Sequence, residues 1–394
     1  MKHLLPDWKY IPAFWLVLIG LAACHKPGEG KETYLADSTL VTAYSPEVLA
    51  TIASPNDSLE YDPGDFSLRI YRITYKTKLD DKTPIIASGL IYLPSQPVPA
   101  KYPLISFQHA TAYSQEEAPS GGNLVSPAFS YPLFYATHGY IVACPDYIGY
   151  GQSNQVSHPY EHRRTLARAT ADMLKAAREF LGAKTVWNNQ LFLAGYSEGG
   201  FATLATQKLL EEENDLLVTT TACGAGPYAV PEFFNYIAEE KTKGGLANYI
   251  YIWQTLTYNR LYDIGKPVSY YFKSPYAEQI TKSIENARDI TASFDEICTD
   301  AFKEDIANPL SAFGRAMTDN DLTAWKPKSP LYLLHGDADE YIPFLNTEIT
   351  YTAMEKLGSL TTSLVTIPKG THIPTEILFI RRSVAWFNAA RKTP

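Results

Sequence analysis

Leu191-Phe192-Leu193-Ala194-Gly195-Tyr196-Ser197-Glu198-Gly199-Gly200-Phe201 reads, from left to right, as a buried strand, a tight turn and the start of a helix. Four apolar residues in a row suit a strand covered on both faces. Glycines at 195, 199 and 200 leave room where a turn presses backbones together. Beyond the turn, Phe201, Leu204, Ala205 and Leu209 recur at helical spacing. A serine at the centre of a strand–turn–helix offers its hydroxyl at the end of a sheet, as a nucleophile requires. Ser197 is the candidate nucleophile.

Outward from this turn the chain alternates. Phe66–Thr77 and Thr83–Leu93 are β-rich and joined by the polar stretch Lys78–Lys82, an expected hairpin. Pro103–Gln108, Gly139–Cys144, Gln190–Ala194, Leu217–Cys223, Pro330–His335 and Thr361–Ile367 read as further strands. Leu166, Ala169, Met173, Ala177 and Phe180 mark one helix face, and Asn346–Leu357 and Thr375–Ala390 read as helices. Strands alternating with crossover helices predict an α/β fold with a mostly parallel central sheet and flanking helices. From Tyr228 to Pro327 the alternation stops. That stretch shows amphipathic segments such as Pro231–Glu240 and Leu246–Tyr258 and holds 17 aromatic residues. It is expected to be a helical insertion, 228–327, over the end of a core formed by 61–227 and 328–394.

The 394 residues are 45% hydrophobic and 19% charged, which excludes a disordered or collagen-like chain. A net charge of -8 with no basic run argues against a nucleic-acid partner. Four cysteines are too few for a disulfide framework, and Cys144, Cys223 and Cys298 are expected to be buried thiols. Lys2 and Lys9 precede an apolar run, Ile11–Ala23, which is too short to span a bilayer but suits a signal peptide, 1–23. Leu21-Ala22-Ala23-Cys24 resembles the lipobox of bacterial lipoproteins. That resemblance implies a lipid on Cys24, an exported protein anchored to a membrane of the bacterial cell envelope, and a tether or extension over 24–60.

A serine nucleophile needs a histidine to take its proton and an acid to orient that histidine. In a fold of this kind the chain order is nucleophile, acid, histidine. Only His335 and His372 follow Ser197. His335 ends a strand, whereas His372 lies in the loop Gly370-Thr371-His372 between the last strand and the last helix. His372 is the candidate base. Asp337 and Asp339 are both placed to be its acid. No phosphate-cradling glycine loop and no paired metal ligands are seen, so neither cofactor nor metal is expected.

Taken together, these residues resemble an α/β-hydrolase with a helical lid over roughly residues 66–392. His335-Gly336, Asp339 and Ile342-Pro343 are similar to that superfamily's H-G-x-x-D-x-x-V-P segment, which implies Asp339 as the acid. More narrowly, Gln108-His109-Ala110-Thr111, Pro145-Asp146-Tyr147-Ile148-Gly149-Tyr150-Gly151 and His158-Pro159-Tyr160 resemble the secretory lipase family and related bacterial ester hydrolases. That resemblance implies cleavage of a small-molecule or lipid carboxylic ester through an acyl-enzyme. It also implies an oxyanion hole of backbone N–H groups from Glu198 and from Ala110 or Thr111. Ala110 stands where the family has a glycine. Asp146 precedes the serine and is expected to be a turn or ion-pair residue. Phe233 and Trp253 are expected to line the acyl pocket.

Three rival readings share these residues. An exported aminopeptidase-like enzyme would use lid carboxylates such as Glu239 and Glu240 to hold a substrate amine. A carbohydrate esterase would stack sugars on the tyrosine-rich insertion. A binding protein on a dead hydrolase scaffold would lack a triad member, and this chain keeps all three.

Overall fold

Alternation along the central strands decides the layering. Successive side chains of a strand point to opposite faces, so an all-apolar strand needs cover on both. Leu104, Leu191 and Leu193 pack with Ala169, Met173, Ala177 and Phe180 on one side. Ile105, Phe192 and Ala194 pack with Phe129, Phe134, Phe379 and Phe387 on the other. The computed structural model describes residues 33–51, 59, 64–98, 100–184 and 186–392. The signal-peptide and Cys24 readings fall outside these residues.

The strands are β1 (Leu35–Tyr44), β2 (Ser67–Lys78), β3 (Pro84–Ser95), β4 (Tyr102–Gln108), β5 (Ile141–Pro145), β6 (Trp187–Tyr196), β7 (Thr220–Gly224), β8 (Leu331–Gly336) and β9 (Thr362–Ile367). They form one sheet in the order β1-β2-β3-β5-β4-β6-β7-β8-β9. The pairs β1–β2, β2–β3 and β3–β5 are antiparallel. From β5 to β9 every pair is parallel. The fold is that of an α/β-hydrolase.

Helices α1 (Pro46–Thr51), α2 (Pro127–Thr137), α3 (Arg163–Gly182) and α4 (Glu198–Glu213) precede β7. Between β7 and β8 come α5 (Val230–Glu239), α6 (Leu246–Leu261), α7 (Val268–Tyr271), α8 (Tyr276–Lys282), α9 (Phe294–Ile297), α10 (Asp300–Ala307) and α11 (Ala312–Asn320). Their apolar side chains share one core with α4, β7 and β8, in which Phe234, Tyr271, Phe302 and Phe313 meet edge-to-face and Tyr258 lies tilted against Phe313. Helices α12 (Leu345–Lys356) and α13 (His372–Ala390) close the chain.

Three elements differ from the sequence reading. The stretch 24–60, expected to be a tether or extension, contains β1 and α1, and eight of β1's ten residues pair with β2. Helix α2 stands where no element was expected. It is buried almost throughout, from Ala128 to Thr137, and carries Pro132 inside it, so no apolar stripe marks it. Cys144, Cys223 and Cys298 are buried free thiols.

The start of β1 is pinned to α3 by one carboxylate. Glu179 accepts hydrogen bonds from the Tyr34 N–H at 3.1 Å and the Leu35 N–H at 2.9 Å. Lys175 lies over the Tyr34 ring, 4.7 Å from its centroid. Hydrogen bonds to a charged group are worth about 1.5–3 kcal/mol each. Glu179→Ala should therefore lower stability by about 2 kcal/mol in urea denaturation. A loss below about 0.5 kcal/mol would show that the ladder to β2 alone holds the strand.

Candidate active site

The turn between β6 and α4 holds Ser197 at φ 57° and ψ -126°, a conformation that strains any residue with a Cβ. Its N–H donates to the Gly224 carbonyl at 2.9 Å. A Cβ on Gly195 would meet the Gly199 carbonyl oxygen at 2.2 Å, and one on Gly199 would meet the Gln108 oxygen at 2.0 Å. The glycines of the motif are thus demanded by contact between β4, β6 and α4. The result is a serine hydroxyl at the carboxyl edge of the sheet, where open α/β sheets carry their sites.

His372 begins α13 at the same edge. Its Nε2 lies 3.0 Å from Ser197 Oγ, and its Nδ1 lies 2.6 Å from Asp339 Oδ2. A carboxylate only accepts, so Nδ1 carries the hydrogen and Nε2 is left to receive the serine proton. The ring is oriented further by neighbours. The His372 N–H donates to Glu340 Oε2 at 3.1 Å, and Tyr196 Oη donates to the His372 carbonyl at 2.7 Å. Ser197 and His372 are only 8% and 9% exposed, so the pair works away from bulk water.

Asp339 is fixed on every side. Its Oδ1 accepts from the N–H groups of Tyr341 and Ile342, both at 2.9 Å. Its Oδ2 also faces His335 Nε2 at 3.1 Å. His335 Nε2 lies 2.9 Å from the Ile342 carbonyl, which can only accept, so that nitrogen carries a hydrogen and donates to the acid. The histidine expected merely to end a strand therefore supports the acid. Asp337 turns away and accepts from the Lys369 N–H at 2.5 Å.

The electrostatics follow from this burial. Burial works to raise the Asp339 carboxyl, but the charge of His372 and the hydrogen bonds from both histidines hold it well below the usual carboxylate range. Burial works to lower His372, and the Asp339 carboxylate overrides it and leaves its pKa raised. One turn along α13, burial pushes Glu376 up to about 7, against the charge of His372 and a hydrogen bond from Tyr131.

Beside Ser197 the start of α4 meets the segment after β4, with the Gln108 and His109 carbonyls against Gly199. Glu198, Gly199 and Gly200 open α4, and their N–H groups precede any acceptor within the helix. Facing them is the segment after β4. His109 Nδ1 contacts the Ala110 carbonyl at 2.6 Å, and Thr111 Oγ1 contacts Tyr160 Oη at 3.0 Å. Gln108 Oε1 accepts from Thr203 Oγ1 at 2.8 Å, which ties this segment to α4. Asp146 takes no ion pair here. It accepts from Ser88 Oγ and Ser120 Oγ, both at 2.5 Å, and from the Ser120 N–H at 2.8 Å.

Helix α6 meets the loops of this edge. Tyr251 Oη donates to the Tyr341 carbonyl at 2.5 Å, Tyr258 Oη to the Glu161 carbonyl at 3.1 Å, and Arg260 to the His158 carbonyl at 3.1 Å. Trp253 stacks on Tyr160 with centroids 4.3 Å apart and planes 6° from parallel. Phe233, at 1% exposure, packs between Phe234 and Tyr251 inside the helical layer. Glu239 and Glu240 are exposed at the end of α5. Sequence reasoning also missed the contact of His158 with Glu198, 2.6 Å between buried side chains. The His158-Pro159-Tyr160 motif was its only trace. Among the described residues, no group of three or more His, Cys, Asp or Glu side chains is placed to hold a metal ion.

Comparison with known proteins gives a family and a fold. A model of the family described as secretory lipase matches residues 131–391. A hydrolase from Legionella pneumophila superposes with a TM-score of 0.81 at 26% identity, covering 91% of this chain and 99% of its own. The rice cell wall degrading esterase LipA from Xanthomonas oryzae superposes with a TM-score of 0.79 at 24% identity, with coverage of 91% and 99%. Candida antarctica lipase A reaches 0.65 at 14% identity, with coverage of 92% and 83%. These last two likenesses are of fold. A search of curated protein sequences gives no match.

The His372–Asp339 contact makes a titration testable. His372 should protonate at a pH above the ordinary imidazole value of 6.5, because a carboxylate stabilises its cation. Asp339→Asn removes that charge while burial remains, so the midpoint should fall. Nitrogen-15 NMR of the imidazole follows both. An unmoved midpoint in Asp339→Asn would place the source of the raised affinity elsewhere.

Proposed function

This chain belongs to the secretory lipase family and is a carboxylic ester hydrolase, and from that premise we propose that it works through Ser197, His372 and Asp339 by way of an acyl-enzyme. The observation that carries this reading is the unbroken line from Ser197 Oγ to His372 Nε2 at 3.0 Å and from His372 Nδ1 to Asp339 at 2.6 Å. Ser197 Oγ attacks the ester carbonyl as its proton passes to His372 Nε2. Asp339 stabilises the imidazolium without taking the proton. The carbonyl oxygen, now negative, is held by the N–H of Glu198 together with that of Ala110 or Thr111. His372 then protonates the leaving alkoxide, and the acyl group stays on Ser197. A water repeats the sequence, giving up its proton to His372 and releasing the carboxylic acid.

The insertion 228–327 serves as the lid in this reading. Its support is that α6 rests on loops that follow β4, β5 and β8, all at the edge that carries Ser197. Trp253 of the insertion stacks on Tyr160 and meets the His158 ring edge-on. Exposure of Glu239 and Glu240 gives a substrate amine no fixed partner, so an ester is favoured over a peptide.

Ser197→Ala should lower ester turnover by about a million-fold, the scale for a residue that acts within a triad. Nitrophenyl esters of graded chain length, run beside amino-acid amides, provide the assay. Retention of more than about 1% of activity would remove Ser197 from the chemistry. Faster turnover of the amides would replace the ester reading with a peptidase.

The address of the enzyme follows from its first residues. Membership in a secretory family is in line with export. The motif Leu21-Ala22-Ala23-Cys24 supports lipid attachment at Cys24 and retention at a membrane of the cell envelope. One acyl chain holds a protein marginally, whereas two or more hold it stably. Cys24→Ala should therefore move the enzyme from the membrane to the soluble fraction and abolish labelling with a fatty acid. A variant that stays membrane-bound, from a parent that takes no label, would overturn the lipoprotein reading.

A further inference from the structure

The side chain of Glu198 has no part in the reaction above, yet it is 1% exposed beside the nucleophile. A lone carboxylate there would repel the negative oxygen that the same residue's N–H is proposed to hold. His158 answers that charge. Its Nε2 lies 2.6 Å from Glu198 Oε1, and its Nδ1 lies 2.7 Å from the Ile148 carbonyl. A carbonyl only accepts, so Nδ1 carries a hydrogen. One further proton lies between Nε2 and Oε1, and whichever atom holds it, the pair as a whole is neutral.

His158 is also where the insertion leans. Arg260 of α6 donates to the His158 carbonyl at 3.1 Å, and the Trp253 ring meets the imidazole edge-on at 5.7 Å. Tyr147, Tyr150 and Tyr160 enclose the imidazole at 5.9, 4.9 and 6.0 Å between centroids. The same Trp253 stacks on Tyr160, whose hydroxyl meets Thr111 Oγ1 at 3.0 Å. Both sides of the proposed oxyanion hole therefore connect to α6, one through His158 and Glu198, the other through Tyr160 and Thr111.

We propose that His158 is a positioning residue for this hydrolase: it neutralises the Glu198 side chain and transmits the seating of α6 to the Glu198 N–H. The proposal rests on the reading of Ser197 as nucleophile. A residue that merely fills space would be indifferent to the charge on Glu198. His158 is not, and this separates the two roles.

The test is a double-mutant cycle on the full chain, with kcat and KM of a nitrophenyl ester measured separately and melting followed alongside. His158→Ala leaves an unpaired buried carboxylate and should lower kcat by about 10²- to 10³-fold, the scale of a lost oxyanion donor, with KM little changed. Glu198→Gln keeps a donor toward Nε2 and should stay within about tenfold of the parent. The double variant removes the repelling charge and should be at least about tenfold faster than His158→Ala. If His158→Ala melts below the assay temperature, His158→Gln takes its place in the same comparison. A fluorophosphonate label located by mass spectrometry shows the nucleophile independently. A label at Ser197 with a double variant no faster than the single overturns this inference alone. A label elsewhere overturns it together with the reading of the site.

Discussion

The backbone of Ser197 is the constraint from which the rest of the site follows. Its φ of 57° with ψ of -126° is disfavoured for a serine, by about 1–3 kcal/mol for conformations of this kind. Such a conformation persists only where its surroundings leave no alternative. Here the Ser197 N–H is taken by Gly224 at the end of β7, while Gly199 lies against the carbonyls of Gln108 and His109 at the end of β4. Three neighbouring parallel strands, β4, β6 and β7, thus meet at one turn. A Cβ at Gly195 or Gly199 would force them apart.

Two of the buried carboxylates beneath the insertion are held against histidines. Asp339 faces His372 and His335, and Glu198 faces His158. Among the described residues no histidine pairs with Glu161, and burial and the charge of Glu198 push its carboxyl well above the usual range. A buried carboxylate is costly without a counter-charge or hydrogen-bond donors. The two histidines hold the Asp339 carboxyl well below the usual range, and the Asp339 carboxylate raises His372 despite burial.

What the sequence made legible was governed by hydrophobic period and by local crowding. The elbow could be read because strand, glycines and helix are contiguous from 191 to 209. His372 could be read by order along the chain, and Asp339 only through the resemblance of its segment. Strand β1 escaped notice because most of its side chains are exposed, so its sequence carries no alternation and its backbone ladder does the holding. Helix α2 escaped for the opposite reason, since it is buried all round and interrupted by Pro132. The His158–Glu198 contact joins residues 40 apart, with no periodic signal to connect them.

The tyrosine content of the insertion follows from what it covers. The carboxyl edge of a parallel sheet is a row of loops rich in free carbonyl groups, and a helical layer set down on it must bury apolar surface without stranding those acceptors. Leucine satisfies only the first demand. Tyrosine brings an apolar ring and a donor at its tip. Tyr251 and Tyr258 of α6 use theirs on the carbonyls of Tyr341 and Glu161, and Tyr150 from below uses its own on the carbonyl of Ala112. Arg288 lies over the rings of both Tyr113 and Tyr249, 4.3 and 4.0 Å from their centroids, so that a loop of the core and a helix of the insertion share one cation. The aromatic excess read from the sequence is therefore an interface property before it is a substrate property.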